Sequence, residues 1–441
     1  MTRADRLARF GLAATIVLSP FRARIELLAR PDPPVYRDFT DLLLFWSDVA
    51  VLLTLGAWAA SLIVRPRRLS FGPRFLAWPV AGLLVAIWLG VPFSVDPVLA
   101  AWNAGRIVLL VLLALYVVNE VVDLVALVAP IAVMVGVQAV VGLAQVVGQH
   151  SIGLGILGEH DLAPIFGVSV ITASDGLRYV RGYGLTDHPN ILGGLLAFAL
   201  LFIGALPSAA PWDRRLVRVA LFALGSAASL VTFSRSAWLA LVIGLLVVTG
   251  VLFRIRDRAR VRTLATFVLA GAIASAPLAV AFLPALAARV DLGTSTPAQA
   301  RPFDERAAAA TAAVAVFGAR PLLGVGIGTL PVAVHQAQPI FGYQYQPASI
   351  VLLDAAAETG VIGAVAYAAI FVLPWLALLR LRRHWTPALA VASGALAEVT
   401  VVGFFDYYTW SYSAGRIWAW LVLGVWAMAY RSAVAERAHA G

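Results

Sequence analysis

The segment Arg178-Tyr-Val-Arg181-Gly-Tyr-Gly-Leu-Thr-Asp187-His188-Pro189-Asn190 brings two guanidiniums, a carboxylate and an imidazole to the start of an apolar run. Proline suits the first turn of a helix, so His188 is expected at or beside the N-cap. A helix N-terminus offers unpaired N–H groups and the positive end of a dipole, which attract an anion. Plain capping is the alternative role for the same residues. Phe233-Ser234-Arg235-Ser236-Ala237-Trp238 places an arginine in a tight turn between two apolar runs. Such a charge is costly unless it reaches water, the interface or an anion. Asp304-Glu305-Arg306 and Arg320-Pro-Leu-Leu-Gly324-Val-Gly326-Ile-Gly328 follow. These glycines do not follow a strand of a βαβ unit, so they are read as a tight backbone turn and not as a dinucleotide site. Ser349, Glu358-Thr-Gly360 and Asp406-Tyr-Tyr-Thr-Trp410 complete the polar set. The last aromatics suit an interfacial belt, and Asp406 suits a cap. Arg106 lies inside an apolar run, an intramembrane charge that is either functional or paired with a carboxylate or carbonyl.

The elements that must position these groups are membrane spans. Of 441 residues, 61% are hydrophobic and 13% charged, against about 25% charged in soluble domains. Lipid is the solvent such a chain requires. The absence of Cys excludes disulfides and thiol nucleophiles. The six His (150, 160, 188, 335, 384 and 439) show no short metal-ligand spacing, so no metal or other cofactor is expected. The net charge is +10, carried by 33 basic residues that are all Arg. They are scattered between apolar runs, which excludes nucleic-acid binding and leaves the positive-inside bias or anion handling.

Apolar runs at 8–21, 41–64, 75–93, 98–118, 124–147, 189–206, 216–232, 237–253, 263–283, 361–379, 387–405 and 415–430 predict about twelve transmembrane helices. The fold expected is all-α and polytopic, one integral membrane domain over residues 1–441. Arginines near 3–9, 65–74, 214–218, 254–262, 380–383 and 431–437 fall on one side, cytoplasmic by the positive-inside rule, with both termini there. Only Arg22, Arg24, Arg30 and Arg37 dissent. The long connection 284–348, between helices 9 and 10, is expected on the non-cytoplasmic side, as is 150–188.

In this order, Arg181-Gly with His188-Pro-Asn, Ser234-Arg235-Ser-Ala-Trp, Glu305-Arg306, Arg320-Pro-Leu-Leu-Gly-Val-Gly and Glu358-Thr-Gly resemble the O-antigen ligase and O-antigen polymerase superfamily. The resemblance runs from about Gly136 to the C-terminus. It implies a metal-independent glycosyltransferase in the bacterial plasma membrane. Such enzymes pass a glycan from an undecaprenyl-diphosphate carrier to an acceptor hydroxyl on a glycan or lipid-glycan at the outer face, among membrane lipids. A transporter or flippase for an anionic or lipid-linked substrate is the reading from another class, but the polar groups gather at one face and not at the midplane.

One departure stands out. Ligases carry Pro-x-His-Asn about nine residues before Glu-x-Gly, whereas this chain reads Pro347-Ala348-Ser349-Ile350. Ser349 therefore stands where the resemblance implies a catalytic His, which favours a polymerase or a divergent ligase. Arg181, Arg235 and Arg306 are the first candidates to grip the diphosphate, with Arg178 and Arg320 behind them. His188 is the first candidate base, held neutral by the helix dipole and neighbouring arginines. His335, in a connection read as flexible, is the second.

Overall fold

The computed structural model describes residues 2–165, 168–173, 176–206, 212–290, 297–381 and 385–440. Arg382, Arg383 and His384 of the sequence analysis, and part of the 284–348 connection, lie outside them. The helices are α1 (Arg3–Leu18), α2 (Trp46–Val64), α3 (Arg74–Gly90), α4 (Pro97–Glu120), α5 (Val125–Gly148), α6 (Pro189–Ala205), α7 (Trp212–Val231), α8 (Arg235–Arg254), α9 (Arg258–Ala281), α10 (Leu283–Val290), α11 (Pro297–Ala319), α12 (Leu330–Ala337), α13 (Val351–Arg380), α14 (Pro387–Gly403), α15 (Tyr408–Ser411) and α16 (Ser413–Ala440). Two antiparallel hairpins join them, β1 (Arg24–Leu28) with β2 (Leu42–Phe45) and β3 (Val170–Thr172) with β4 (Arg178–Val180).

The architecture is all-α and polytopic. Each of the twelve apolar runs falls on a helix. Among the described residues, α2, α3 with its extension to Phe93, α4, α5, α8, α9, α13 and α16 are long and apolar enough to cross a membrane. The other four runs fall on α1, of 16 residues, on α7, which carries Arg214, Arg215 and Arg218, and on α6 and α14, which are apolar but shorter. For α6 and α14 the reason is burial. Every residue of α6 is buried, and so are Leu389–Val399 of α14. A helix enclosed by other helices can be apolar all round without matching the bilayer thickness. On α3, α8 and α9, by contrast, Trp78, Leu246 and Ile273 are exposed, the surface lipid would cover.

Local chemistry sets the helix starts. Asp96 accepts the Leu99 N–H at 3.0 Å ahead of Pro97, and Thr386 accepts the Leu389 N–H at 3.1 Å ahead of Pro387. Two boundaries differ from the sequence reading. The run from 41 is helical only from Trp46, because Leu42–Phe45 pair with β1. Apolar composition alone does not separate such a strand from a helix. The run read from 361 begins at Val351, and Gly360 breaks α13 with φ 69°. That conformation favours glycine, and a Cβ there would collide with the Leu322 carbonyl.

The connection 284–348 is not an open loop. It folds into α10, α11 and α12 among its described residues. The glycine series within it is the tight turn expected: Gly324, Gly326 and Gly328 all have positive φ. The turn runs against the break in α13, with Val325 N–H donating to Ala357 O at 3.0 Å and Gly326 N–H to Glu358 O at 2.9 Å. The segments 320–328 and 358–360 thus clasp one another.

The dissenting arginines are neutralised. Arg22 and Arg24 pair with Asp187 at 3.1 and 3.2 Å, and Arg30 with Asp96 at 2.7 Å. Arg37 pairs with Glu26 at 2.6 Å and Asp41 at 2.8 Å.

Candidate active site

The turn between α7 and α8 organises the site. Phe233 adopts φ 50°, a left-handed conformation uncommon for an aromatic residue. The carbonyl of Thr232 accepts from Arg181 Nε at 2.7 Å, and that of Phe233 accepts from Arg289 Nε at 2.7 Å. Ser234 then caps α8, whose first residue is Arg235. One turn therefore fixes two arginines through its carbonyls and presents a third. Arg306, on α11, completes the ring. Arg181, Arg235, Arg289 and Arg306 all line a cleft of about 290 Å³, with His188, Glu305, Ser349, Asp406 and Tyr407.

Arg181 is the most rigid of the four. Besides Thr232 O, its Nη1 donates to Ser169 Oγ at 2.7 Å and its Nη2 to Asn190 Oδ1 at 2.6 Å. Only 3% of it is exposed. Arg235 makes no hydrogen bond among the described residues and lies over the Phe303 ring at 5.1 Å. Among the described residues none of the four has a carboxylate within ion-pair distance. Burial, then the neighbouring guanidiniums, pushes Arg289 down to about 8 and, with Arg235 and Arg306 beside it, Arg181 to about 10. Both remain cationic at neutral pH. Desolvation is the larger cause and the neighbouring guanidiniums the smaller, and a bound anion would offset both.

Asp406 stands in the turn between α14 and α15. Its Oδ2 accepts from Asn190 Nδ2 at 2.7 Å, so Asn190 links it to Arg181. Burial pushes the Asp406 carboxyl up, while Arg306 and the Asn190, Tyr407 and Tyr408 N–H groups hold it down. His188 is the N-cap of α6, with Nδ1 accepting the Asn190 N–H at 3.2 Å. Burial, then Arg181, pushes its pKa well below the ordinary value, so the ring is neutral. With Nδ1 serving as the acceptor, the hydrogen of the neutral ring sits on Nε2.

Apart from Ser349, the structure does not bring the other sequence candidates to this cleft. Arg178 sits on β4 opposite Thr172 and does not line it. Arg320 is exposed and donates to Phe93 O at 2.8 Å. Arg106 pairs with Asp48 at 3.0 Å and donates to Ser413 Oγ at 2.7 Å. Glu358 accepts from Trp410 Nε1 at 2.7 Å. Arg106 and Glu358 border a separate, smaller cavity of about 40 Å³ with Arg416, and Tyr412 borders both cavities. His335 is not on a flexible loop: it lies in the last turn of α12, 3.2 Å from Asp32 and packed on Tyr345. Ser349 does line the cleft, and its segment is fixed by Asp354, which accepts the Ala348 N–H at 2.7 Å.

Sequence reasoning missed Arg289 and Arg416. Each is a single arginine in an otherwise apolar run, the signal used for Arg106.

His160 supports the site from behind. Its Nε2 bonds Asp187 O at 3.0 Å, and its ring meets the edge of Tyr183, which in turn meets His188. Burial, then Arg22, pushes it down to about 4. A folded-state pKa below the unfolded value gives stability that is present above about 6.5 and lost as pH falls toward 4. Unfolding midpoints of wild type and His160→Gln should therefore differ most at neutral pH and converge across that window. Parallel curves would remove His160 as the source.

Residues 220–368 match a protein-family model described as O-antigen ligase. The match supports the superfamily to which the ordered motifs point. No curated protein matches the chain. The matched region contains Arg235, Arg289, Arg306 and Ser349, while Arg181, His188 and Asp406 come from outside it.

Proposed function

We propose, from the O-antigen ligase region the chain carries, that it transfers a glycan from a polyprenyl-diphosphate carrier to an acceptor hydroxyl at the outer face of the bacterial plasma membrane. The observation that carries this reading is the convergence of Arg181, Arg235, Arg289 and Arg306 on one cleft. Of the three lining carboxylates, Asp187 is taken up by Arg22 and Arg24 from outside the cleft, so Glu305 and Asp406 stand against the four arginines and leave two positive charges. A sugar diphosphate diester bears two negative ones.

The step follows from the charges. The acceptor oxygen bonds to the anomeric carbon as the bond from that carbon to the diphosphate oxygen breaks. The electron pair leaves on the diphosphate, where charge grows and the guanidiniums stabilise it. The acceptor proton goes to Asp406, whose burial raises its basicity and whose position Asn190 fixes. His188, with its hydrogen on Nε2, serves as a donor to the donor substrate. The products are the extended glycan and the polyprenyl diphosphate, whose tail stays against apolar helices.

The test is transfer by purified protein from a lipid-linked glycan, read as appearance of polyprenyl diphosphate. Movement of the intact lipid-linked glycan across vesicles without transfer would instead indicate a flippase. Because guanidiniums supply the neutralising charge, transfer should proceed at an unchanged rate in excess EDTA; loss restored by a divalent ion would refute the metal-independent reading. Orientation is tested separately. Reporter fusions after Arg68 and Arg258 should read cytoplasmic, and one after Gln338 non-cytoplasmic. A cytoplasmic signal at Gln338 would put the cleft on the wrong face.

A further inference from the structure

A second basic cavity, of about 360 Å³, lies at the opposite end of the helices that build the cleft. Helix α6 runs from His188 at the cleft to Ala205 at this cavity, a rise of roughly 25 Å. Arg215, Arg218 and Arg260 line it with a single carboxylate, Asp257. Asp257 is already used: it caps α9 by accepting the Arg260 N–H at 3.0 Å and pairs with the Arg260 guanidinium. Arg215 and Arg218 have no carboxylate partner among the described residues. Arg218 Nη2 donates to the carbonyls of Ile203 and Leu206 at the end of α6, and its Cζ lies 5.7 Å from the centre of the Phe267 ring. Among the described residues its Nε is buried without a hydrogen-bond partner. A buried cationic N–H without an acceptor is costly, and a phosphate oxygen would satisfy it.

We propose that this cavity binds the phosphate of an anionic phospholipid headgroup, with Arg215 and Arg218 as its ligands. The surroundings favour a lipid over a free ion. Leu206 and Phe267 form apolar walls, and Leu216 and Val217 beside the cavity are half exposed or more, as are Leu269 and Ile273 further along α9. The site is thus a guanidinium pair at the edge of an apolar surface, where a headgroup meets charge while its chains lie along α7 and α9. The proposal is independent of the reaction assigned to the arginine cleft.

The experiment uses the full chain purified in detergent. Phosphatidylglycerol, phosphatidylcholine or inorganic phosphate is added, and bound lipid is counted by native mass spectrometry alongside the unfolding midpoint. Phosphatidylglycerol should be retained over phosphatidylcholine and should raise the midpoint. Arg215→Gln, at an exposed position, should weaken that retention about fivefold. Arg218→Gln should weaken it at least as much; if that variant fails to fold, Arg215→Gln decides. Equal retention of the two lipids, wild-type retention in Arg215→Gln, or an equal midpoint rise from inorganic phosphate would each overturn the lipid assignment.

Discussion

Arg181→Lys should abolish glycan transfer nearly as completely as Arg181→Ala, whereas Arg235→Lys should keep a large part of the activity that Arg235→Ala loses. The difference comes from what each guanidinium touches. Arg181 uses Nε, Nη1 and Nη2 on three acceptors from different parts of the chain, Thr232 O, Ser169 Oγ and Asn190 Oδ1. An ammonium cannot reproduce that fork. Its loss would leave the buried acceptors Thr232 O and Asn190 Oδ1 unpaired, at roughly 1–3 kcal/mol each, and would release Asn190 from its place beside Asp406. Arg235 makes no such bonds among the described residues and rests on Phe303, so it contributes mainly charge, which lysine retains. Removing one preorganised cation from a transition-state site costs about 10²–10³ in rate. Transfer rate and donor binding would be measured for all four variants. Full turnover in Arg235→Ala would remove the cleft from the mechanism. Failure of Arg235→Lys equal to that of Arg235→Ala would mean that Arg235 also acts as a fork.

Asp406→Asn should lower the transfer rate by about 10²–10⁴ with donor binding largely kept. Asparagine keeps an oxygen for Asn190 Nδ2, so the local geometry has a route to survive while the basic site is lost. His188→Ala should cost less, since it removes a cap worth about 1 kcal/mol and one hydrogen-bond donor. His335→Ala should leave chemistry intact, because that ring is paired with Asp32 away from the cleft. The comparison is single-turnover transfer with donor binding measured in parallel. If His188→Ala is dead and Asp406→Asn turns over normally, the imidazole is the base despite its cap. If His335→Ala is dead, the base lies on α12.

The membrane class of this protein is set by the sequence alone. Apolar runs of span length follow directly from lipid as solvent, so every run coincides with a helix, and eight of the twelve helices are long and apolar enough to cross a membrane among the described residues, α1, α6, α7 and α14 being shorter or more charged. The N-cap at His188 was equally legible, because Pro189 after it restricts the backbone locally. So was the turn at Gly324–Gly328, since positive φ at three glycines is a local property.

What the sequence could not decide was which arginines meet. Arg178 lies three residues from Arg181 on the same hairpin exit, yet only Arg181 turns into the cleft, because Thr232, Ser169 and Asn190 supply its acceptors from other elements. Arg289 looked like any isolated arginine until the left-handed turn at Phe233 aimed a carbonyl at it. The segments 320–328 and 358–360 carried motif weight equal to the rest, but they spend polar groups on each other, on Trp410 and on Phe93 O. Only the tertiary structure shows that the Asn190 N–H takes up Nδ1 of His188. Spacing along a chain fixes helix faces and caps, because those depend on neighbours within a turn. Convergence of charges from the segment between β4 and α6, from α8, α10 and α11, and from the turn before α15 depends on packing between segments far apart in sequence, and only the tertiary structure determines it.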